Sequence, residues 1–176
     1  AAIGGNHLIH AARRNIGLTV VMFNNSIYGM TSGQYSPMTP SGKSATTAPY
    51  GNIERDFDVC KLVQASGANY VARATVAQPR QLSTYIERAI NTKGFAFVEA
   101  QGMCPTYYGR RNKLGGPVEM LDVLKKNTVT VQAAAKLSPE ELKGKIITGE
   151  LYQANDPEYC DLYDNLIKQA QEVAGK

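Results

Sequence analysis

The architecture of this chain follows from one stretch, Leu18-Thr-Val-Val-Met-Phe-Asn-Asn-Ser-Ile-Tyr-Gly-Met-Thr-Ser-Gly-Gln34. Its first six residues are apolar or β-branched and show no alternation, which is typical of a strand covered on both faces in a parallel sheet. The run ends at Asn24 and Asn25 and passes into a glycine-rich turn. Because ligands of open α/β sheets bind beyond the carboxyl ends of the strands, this turn is a candidate binding site.

Two oxygen atoms of the turn suit a metal ion. The amide oxygen of Asn25 is a hard ligand, and a turn presents a main-chain carbonyl two residues later, at Ile27. Mg²⁺ prefers oxygen ligands and completes its octahedron with phosphates and water. The more common explanation of such a pair is that the asparagines only cap a turn, as Asn does in many proteins. The residues alone leave both interpretations open.

The residues before this stretch predict a helix over 1–15, entered through Gly4 and Gly5. A helix start is a favourable place for a phosphate group, because free N–H groups and the helix dipole point towards it. Gly5 is therefore a candidate cofactor-binding residue, although close packing explains the two glycines equally well.

The residues after it predict an alternation of helices and strands. Apolar periodicity and cap signals indicate a helix over 56–66, a strand over 69–75, a helix from Pro79 to about Gly94 and a strand over 95–100. Such alternation is typical of a parallel sheet with right-handed crossovers. We therefore predict an α/β fold, a mostly parallel sheet flanked by helices, in a domain covering 1–115.

The remaining residues, 116–176, predict a mainly helical C-terminal extension. Ser138 and Pro139 form a cap and first-turn signal, and Asp156-Pro157 opens a final helix. That helix has an apolar stripe of Tyr159, Tyr163, Leu166, Ile167 and Ala170. Two segments, 129–137 and 145–153, show no reliable period. We expect the extension to pack on the core or on a partner.

Several other motifs have simple structural explanations. Cys104, followed by proline after the last predicted strand, could be a thiolate ligand of an iron–sulfur cluster, but a single Cys-Pro is more often a buried structural thiol. Cys60 and Cys160 fall in helical patterns, which favours structural thiols for both. His7 and His10, three residues apart, are better explained as partly buried histidines than as metal ligands. The Gly42-Lys43-Ser44 string is not a P-loop, because the earlier glycine position holds proline and no strand leads into it.

Composition limits the function classes. The net charge of +4 is scattered, which argues against a nucleic-acid partner, and no apolar run approaches the ~20 residues that would span a membrane. The three widely spaced cysteines form no disulfide framework, so we expect a reduced, cytoplasmic setting. The first residues already read like the inside of a domain, and we expect an upstream segment that this sequence lacks.

Four strings resemble a known family: Ile3-Gly-Gly-Asn-His-Leu-Ile-His-Ala-Ala-Arg-Arg-Asn-Ile16, Asn24-Asn-Ser-Ile-Tyr-Gly-Met-Thr-Ser-Gly-Gln-Tyr-Ser-Pro37, Ala45-Thr-Thr-Ala-Pro-Tyr-Gly-Asn-Ile-Glu54 and Cys104-Pro-Thr-Tyr-Tyr-Gly-Arg-Arg-Asn112. They are similar to the beta subunits of 2-oxoacid:ferredoxin oxidoreductases, and most similar to those of the 2-oxoglutarate enzymes. The resemblance covers most of 3–112 and, more loosely, the capped helical tail.

The resemblance implies a thiamine diphosphate-binding fold and assigns roles by motif. The family's Gly-Asp-Gly element would fall before Ala1, whereas its Asn-Asn element is present. Asn25, through its side chain, and Ile27, through its main chain, would be Mg²⁺ ligands. Tyr28, Gly29, Met30 and Thr31 would line the cofactor, with Met30 and Thr31 nearest the reacting centre. The family usually has glycine where this chain has Ser32.

The resemblance also implies a [4Fe–4S] cluster. The family holds this cluster mostly through upstream cysteines, which lie outside this sequence, and Cys104 would be the fourth ligand. The implied reaction is the oxidative decarboxylation of 2-oxoglutarate with coenzyme A to succinyl-CoA, with ferredoxin as electron acceptor. The implied partners are an alpha subunit, with gamma and delta subunits in some members. Two alternatives stay open: the same chemistry on pyruvate or branched-chain 2-oxo acids, and a truncated, non-catalytic assembly module.

Overall fold

A computed structural model describes residues 3–175 of the chain. Its strands are β1 (Thr19–Asn24), β2 (Tyr70–Thr75), β3 (Ala96–Gln101), β4 (Thr128–Thr130) and β5 (Ile146–Gln153). Its α-helices are α1 (Gly5–Arg13), α2 (Val59–Ala65), α3 (Pro79–Asn91), α4 (Pro117–Asn127), α5 (Val131–Ala134), α6 (Pro139–Leu142) and α7 (Tyr159–Ala174), and a π-helical turn covers Pro105–Gly109. The strands form one sheet in the order β1-β3-β2-β5-β4.

The predicted parallel sheet is confirmed for the first three strands. β3 lies between β1 and β2 and is parallel to both, so that Asn24 of β1 and Thr75 of β2 both pair with Gln101 of β3. The three carboxyl ends therefore meet at one edge of the sheet. Two segments leave the sheet at this carboxyl edge. The asparagine turn begins at Asn24 and Asn25 after β1, and the cysteine loop, which contains Cys104, follows β3.

Helices cover the two faces of the sheet. One buried cluster joins α1 and α2 to the sheet through Ala12, Val59, Val63, Val71 and Phe97. A second cluster packs α3 on the opposite face, where Ala89 is buried against β2 and β3 and Leu82, Tyr85 and Ile86 are half-buried beside it. Each large apolar side chain buried in this way contributes about 1.5–3 kcal/mol, which makes the central strands the best-anchored part of the chain.

The prediction that β1 is covered on both faces is wrong for this chain. β1 is an edge strand of the sheet formed by residues 3–175, and Phe23 keeps 75 % of its surface exposed. The apolar run indicates that the strand has apolar surface to bury. It does not specify which strands lie on either side, and this pairing decides whether β1 is a central or an edge strand.

The C-terminal extension is helical over most of its length, but it also adds two strands that the sequence did not reveal. β5 pairs antiparallel with β2, and β4 pairs parallel with β5. The alternation of β5 is obscured because Gly149 has a φ of +136° and the register shifts between Val71 and Ala72. Two strands from residues 116–176 therefore extend the sheet of residues 1–115, and the proposed boundary at 115 stays a prediction.

The last helix has the predicted stripe but buries none of it. α7 begins after Glu158, whose carboxylate accepts hydrogen bonds from the N–H groups of Cys160 and Asp161. Among the residues that the structure describes, α7 contributes no buried side chain, and Leu166 is 57 % exposed. The capping box of Ser138 and Glu141 is also confirmed, although it begins a helix of only one turn.

Candidate functional site

The asparagine turn is built from two consecutive side-chain-to-backbone hydrogen bonds. The Asn24 Oδ1 atom accepts the N–H of Ser26 at 3.0 Å, and the Asn25 Oδ1 atom accepts the N–H of Ile27 at 3.3 Å. Ser26 has a φ of +63°, a left-handed conformation that such short polar turns tolerate. The Thr39 hydroxyl donates to the Ser26 carbonyl at 2.6 Å and ties the turn to the following loop. The turn is therefore rigidly held.

The two asparagines have different roles. Asn24 is buried, and its amide nitrogen donates to Glu99 Oε1 at 2.7 Å and to Gln101 Oε1 at 3.0 Å. Asn25 is only half-buried, and its amide oxygen accepts a single long hydrogen bond. An amide oxygen has two acceptor positions, so one remains for a ligand. Asn24 anchors the turn to the sheet, whereas the Asn25 oxygen keeps one acceptor position free.

The Ile27 carbonyl is the second candidate ligand. Within residues 3–175 it accepts no hydrogen bond, whereas the neighbouring carbonyls of Ser26 and Tyr28 are both occupied. An unused main-chain carbonyl and an amide oxygen with one free acceptor position, two residues apart on the same turn, are oxygen donors that suit Mg²⁺. The residues present therefore fit the metal that the sequence analysis assigned to them. The structure contains no cluster of three or more His, Cys, Asp or Glu side chains with metal-binding geometry among the residues it describes.

Gly29 brings the asparagine turn and the cysteine loop together. A Cβ atom added to Gly29 would lie 3.2 Å from the Cys104 Sγ and 3.5 Å from the Asn25 Nδ2. Both side chains therefore contact the same small space, which a larger residue at position 29 would fill. Cys104 is half-buried and precedes the π-helical turn, where its carbonyl accepts the N–H groups of Tyr108 and Gly109. The structure thus places the candidate metal ligand and the candidate cluster ligand side by side.

Met30 and Thr31 lie on the exposed side of the same turn. The Met30 side chain is 99 % exposed, and the Thr31 hydroxyl donates to Gln34 Oε1 at 2.6 Å. Tyr28 is also exposed, and its N–H and carbonyl pair with Gln34 and Gly33, which closes the turn. An apolar side chain in this position, without cover from residues 3–175, is suited to contact a bound molecule.

Gly5 is separate from this group in the contacts that the structure describes. It is the first residue of α1, and Gly4 precedes it with a φ of +87° and no side-chain cap. No hydrogen bond among residues 3–175 joins Gly5 to the asparagine turn. Its role with a phosphate stays a prediction. The two histidines of α1 are exposed, so the expectation that they are partly buried is wrong, and the Arg13 Nε donates to the His10 Nδ1 at 3.4 Å.

A buried charged network supports the carboxyl edge, and sequence reasoning missed it. Glu99 is 1 % exposed, yet its Oε2 atom accepts hydrogen bonds from the Arg73 Nε at 2.6 Å and the Cys60 thiol at 3.2 Å. Arg73 also pairs with Asp58, the N-cap of α2, at 2.8 Å. Burial raises the pKa of the Cys60 thiol far above its ordinary value, so the thiol stays protonated and donates to Glu99. The signal in the sequence was a glutamate in the apolar strand 95–100, which requires partners.

A cavity of about 650 Å³ opens beside this network. Arg73 and Glu99 line it from the sheet, and Asn25 lines it from the asparagine turn. Leu124 and Lys145 line it from the C-terminal extension. Burial raises the pKa of Tyr108, another lining residue, to about 12, and Asp56 adds to that shift. The volume is within the range of small-molecule sites, and its polar wall continues into the asparagine turn.

The first comparison defines the class of protein. The family model described as the C-terminal TPP binding domain of thiamine pyrophosphate enzymes matches residues 1–100. This match covers β1, β2, most of β3 and the whole asparagine turn. The chain is therefore a thiamine pyrophosphate-binding α/β domain with an additional C-terminal segment.

The relatives narrow the class to one family. The chain is 53 % identical over 169 residues to the 2-oxoglutarate synthase subunit KorB of Methanothermobacter marburgensis, an alignment that covers 96 % of this chain and 59 % of the relative. It is also 53 % identical over 169 residues to KorB of Methanocaldococcus jannaschii, covering 96 % and 63 %. The chain belongs to the beta subunits of the 2-oxoacid:ferredoxin oxidoreductases, and it spans about three fifths of the length of these curated relatives.

A solved structure agrees in fold. The 2-oxoglutarate:ferredoxin oxidoreductase from Magnetococcus marinus, determined with 2-oxoglutarate, coenzyme A and succinyl-CoA bound, superposes with a TM-score of 0.79 at 30 % identity. The match covers 99 % of this chain and 59 % of that one. The similarity therefore includes the C-terminal extension as well as the thiamine pyrophosphate-binding domain.

Proposed function

We propose that this chain acts in the oxidative decarboxylation of 2-oxoglutarate with coenzyme A, which yields succinyl-CoA and CO₂ and passes two electrons to ferredoxin. The observation that carries the proposal is that Asn25 and Cys104 meet over Gly29, while the Asn25 oxygen and the Ile27 carbonyl of the same turn both have acceptor capacity left. Such an arrangement can hold a diphosphate-bound metal ion and an electron acceptor close to one another. The names of the relatives, 2-oxoglutarate synthase subunits, support the choice of substrate.

In this proposal Asn25 and Ile27 provide two oxygen ligands to Mg²⁺, which binds the diphosphate of thiamine diphosphate. The thiazolium ring of that cofactor supplies the electron sink for loss of CO₂ from a 2-oxo acid. The residues of this chain bind and orient it: Gly29 leaves space beside the metal ligands, and Met30 and Thr31 form the wall nearest the substrate. Met30 also excludes water from that wall when a molecule covers it.

Cys104 provides one thiolate ligand to a [4Fe–4S] cluster in the assembled enzyme. Its sulfur atom shares the space over Gly29 with the Asn25 amide, so a cluster held by Cys104 would be close to the turn that would hold the cofactor's metal ion. A short distance between cofactor and cluster favours electron transfer, and the position of Cys104 beside the asparagine turn would keep that distance short. In this proposal the remaining cluster ligands lie outside the given sequence. The proposed partners are an alpha subunit, gamma or delta subunits where the enzyme has them, and ferredoxin, all of which the family membership supports. The proposal also includes a cytoplasmic location, because a reducing compartment suits a chain whose three cysteines are free.

No helix among residues 3–175 has the length and apolar character needed to cross a membrane. We assign no role to a membrane or to a nucleic acid in the proposed reaction.

The test is anaerobic reduction of a dye by the assembled complex with coenzyme A, measured separately with 2-oxoglutarate, pyruvate and 2-oxoisovalerate. We expect strong preference for 2-oxoglutarate. Preference for another of these acids would retain the chemistry and refute the substrate. No reduction with any of them, in a complex that contains thiamine diphosphate and iron, would favour a non-catalytic assembly role.

A further inference from the structure

Arg111 is held beside the turn that carries Met30 and Thr31. Its Nη2 atom donates to the Thr46 hydroxyl at 3.4 Å. The same hydroxyl donates to the Ser32 carbonyl at 2.7 Å, and the Thr46 N–H donates to the Gly33 carbonyl at 2.8 Å. One threonine side chain therefore separates the Arg111 guanidinium from the residues that directly follow Thr31.

The charge of Arg111 is not neutralised by this chain. Arg73, Arg88 and Lys93 each form an ion pair with a carboxylate, whereas no carboxylate among residues 3–175 pairs with Arg111. Its side chain is exposed. A guanidinium has five N–H donors in a planar fork that matches a carboxylate. Apart from the long bond to Thr46, that fork is unused within the part of the chain that the structure describes.

The backbone near Arg111 is held by contacts of the neighbouring residues. The Asn112 side chain accepts the N–H of Ser44 at 2.9 Å and donates to the Ser44 carbonyl at 3.0 Å. Tyr107 packs so closely on Gly33 that a Cβ atom there would lie 2.8 Å from its ring. The loop that carries Arg111 is therefore joined to Gly33 through Tyr107 and to Ser44 through Asn112. A cation carried on a backbone held in this way can select a substrate with little cost in loop ordering.

We propose that Arg111 binds the distal carboxylate of a dicarboxylic 2-oxo acid and so distinguishes it from monocarboxylic acids. This inference rests on the proposed function, because it assumes that the reacting carbonyl lies against Met30 and Thr31. A dicarboxylic substrate brings a second carboxylate into the site, and that charge has to be paired once water is excluded. Among the described residues, Arg111 is an exposed cation that hydrogen bonds through Thr46 tie to this turn. A monocarboxylic acid gains nothing from it.

The test compares Arg111→Met, Arg111→Lys and a matched control, Arg110→Met, in the assembled enzyme. Arg110 is also exposed and forms no described hydrogen bond with the turn. We expect Arg111→Met to lower the ratio of kcat/KM for 2-oxoglutarate over pyruvate about 100-fold, mainly through the KM for 2-oxoglutarate, as for loss of a charge-assisted carboxylate pair. Arg111→Lys should recover part of this ratio, and Arg110→Met should leave it unchanged.

A binding measurement gives a readout independent of turnover. Calorimetric titration with glutarate, an unreactive dicarboxylate, should show at least about a 10-fold weaker Kd in Arg111→Met and the wild-type Kd in Arg110→Met. An unchanged substrate ratio, or an equal change in both methionine variants, would overturn the inference while leaving the proposed function intact. Failure of the wild-type complex to use 2-oxoglutarate would refute the function itself, and this inference with it.

Discussion

The buried network at the carboxyl edge and the loops beyond it differ in how their polar groups are used. In the network, Asn24 and Arg73 both donate to Glu99, and no buried side-chain nitrogen or oxygen among the described residues lacks a partner. In the loops, the Asn25 oxygen, the Ile27 carbonyl and the Arg111 guanidinium retain unused capacity. The difference indicates a division of work: the first group holds the edge in shape, and the second group is available for ligands.

The division predicts that the largest loss of stability follows Glu99→Ala. Removing the carboxylate leaves Arg73 without its shortest ion pair and the Asn24 amide without its buried acceptor. Breaking a buried pair in this way costs about 3–5 kcal/mol. The free energy of unfolding of the purified protein, measured with urea, tests the prediction. Glu87→Ala on the exposed side of α3 is the control, and similar losses in both variants would contradict the division.

The next largest effect is expected for Asn24→Ala. The change removes one hydrogen bond to Glu99 and one to Gln101, and also the side-chain bond that shapes the turn at Ser26. Leaving a buried acceptor unsatisfied costs about 1–3 kcal/mol. We expect a lower thermal midpoint together with weakened thiamine diphosphate binding. If stability stayed at the wild-type value, Asn24 would not be the anchor that its contacts suggest.

The Cys60 thiol connects this comparison to pH. Because burial raises its pKa, the folded chain keeps a proton that the unfolded chain releases above the ordinary thiol value of 9.0. The contribution is fully present below pH 9.0 and is lost as the pH rises from there, by about 1 kcal/mol between pH 9 and 10. The free energy of unfolding, measured with urea at several pH values, should therefore fall less steeply with rising pH in Cys60→Ser than in the wild type. Identical pH profiles would show that the thiol ionises equally in both states.

A smaller effect is expected for Asn112→Ala. Two hydrogen bonds between Asn112 and the Ser44 backbone join the cysteine loop to the loop over 33–57, and their loss should cost about 1 kcal/mol. Hydrogen exchange should accelerate at Ser44 and Thr46 and stay slow in β3. Uniform acceleration throughout the sheet would instead indicate a global role for Asn112.

Much of the fold could be predicted because its signals are local. The strands at 70–75 and 96–101 and the helix at 79–91 follow from apolar periodicity, cap residues and glycine stops within each segment. β5 was missed because its pattern is interrupted at Gly149 and its partner strand carries a register shift. The exposure of Phe23 was missed because an apolar run does not specify which neighbours a strand has.

The candidate site was predictable in its chemistry and not in its arrangement. The hard oxygens of Asn25 and Ile27 are visible in the sequence, and the structure leaves both available. The division of roles between Asn24 and Asn25 depends on Glu99, which lies 75 residues from Asn24 in sequence. The contact of Cys104 with the space over Gly29 likewise joins segments far apart in the chain. Such contacts follow from sheet topology rather than from local pattern.

The most direct test of the account measures bound magnesium and thiamine diphosphate in the assembled enzyme carrying Asn25→Ala. Because Asn25 makes one long internal hydrogen bond, we expect the thermal midpoint of the cofactor-free protein to stay close to that of the wild type. Magnesium and thiamine diphosphate should both be lost, and Asn25→Asp, which keeps an oxygen ligand, should retain part of each. A full content of both in Asn25→Ala would contradict the assignment of this turn as the cofactor site.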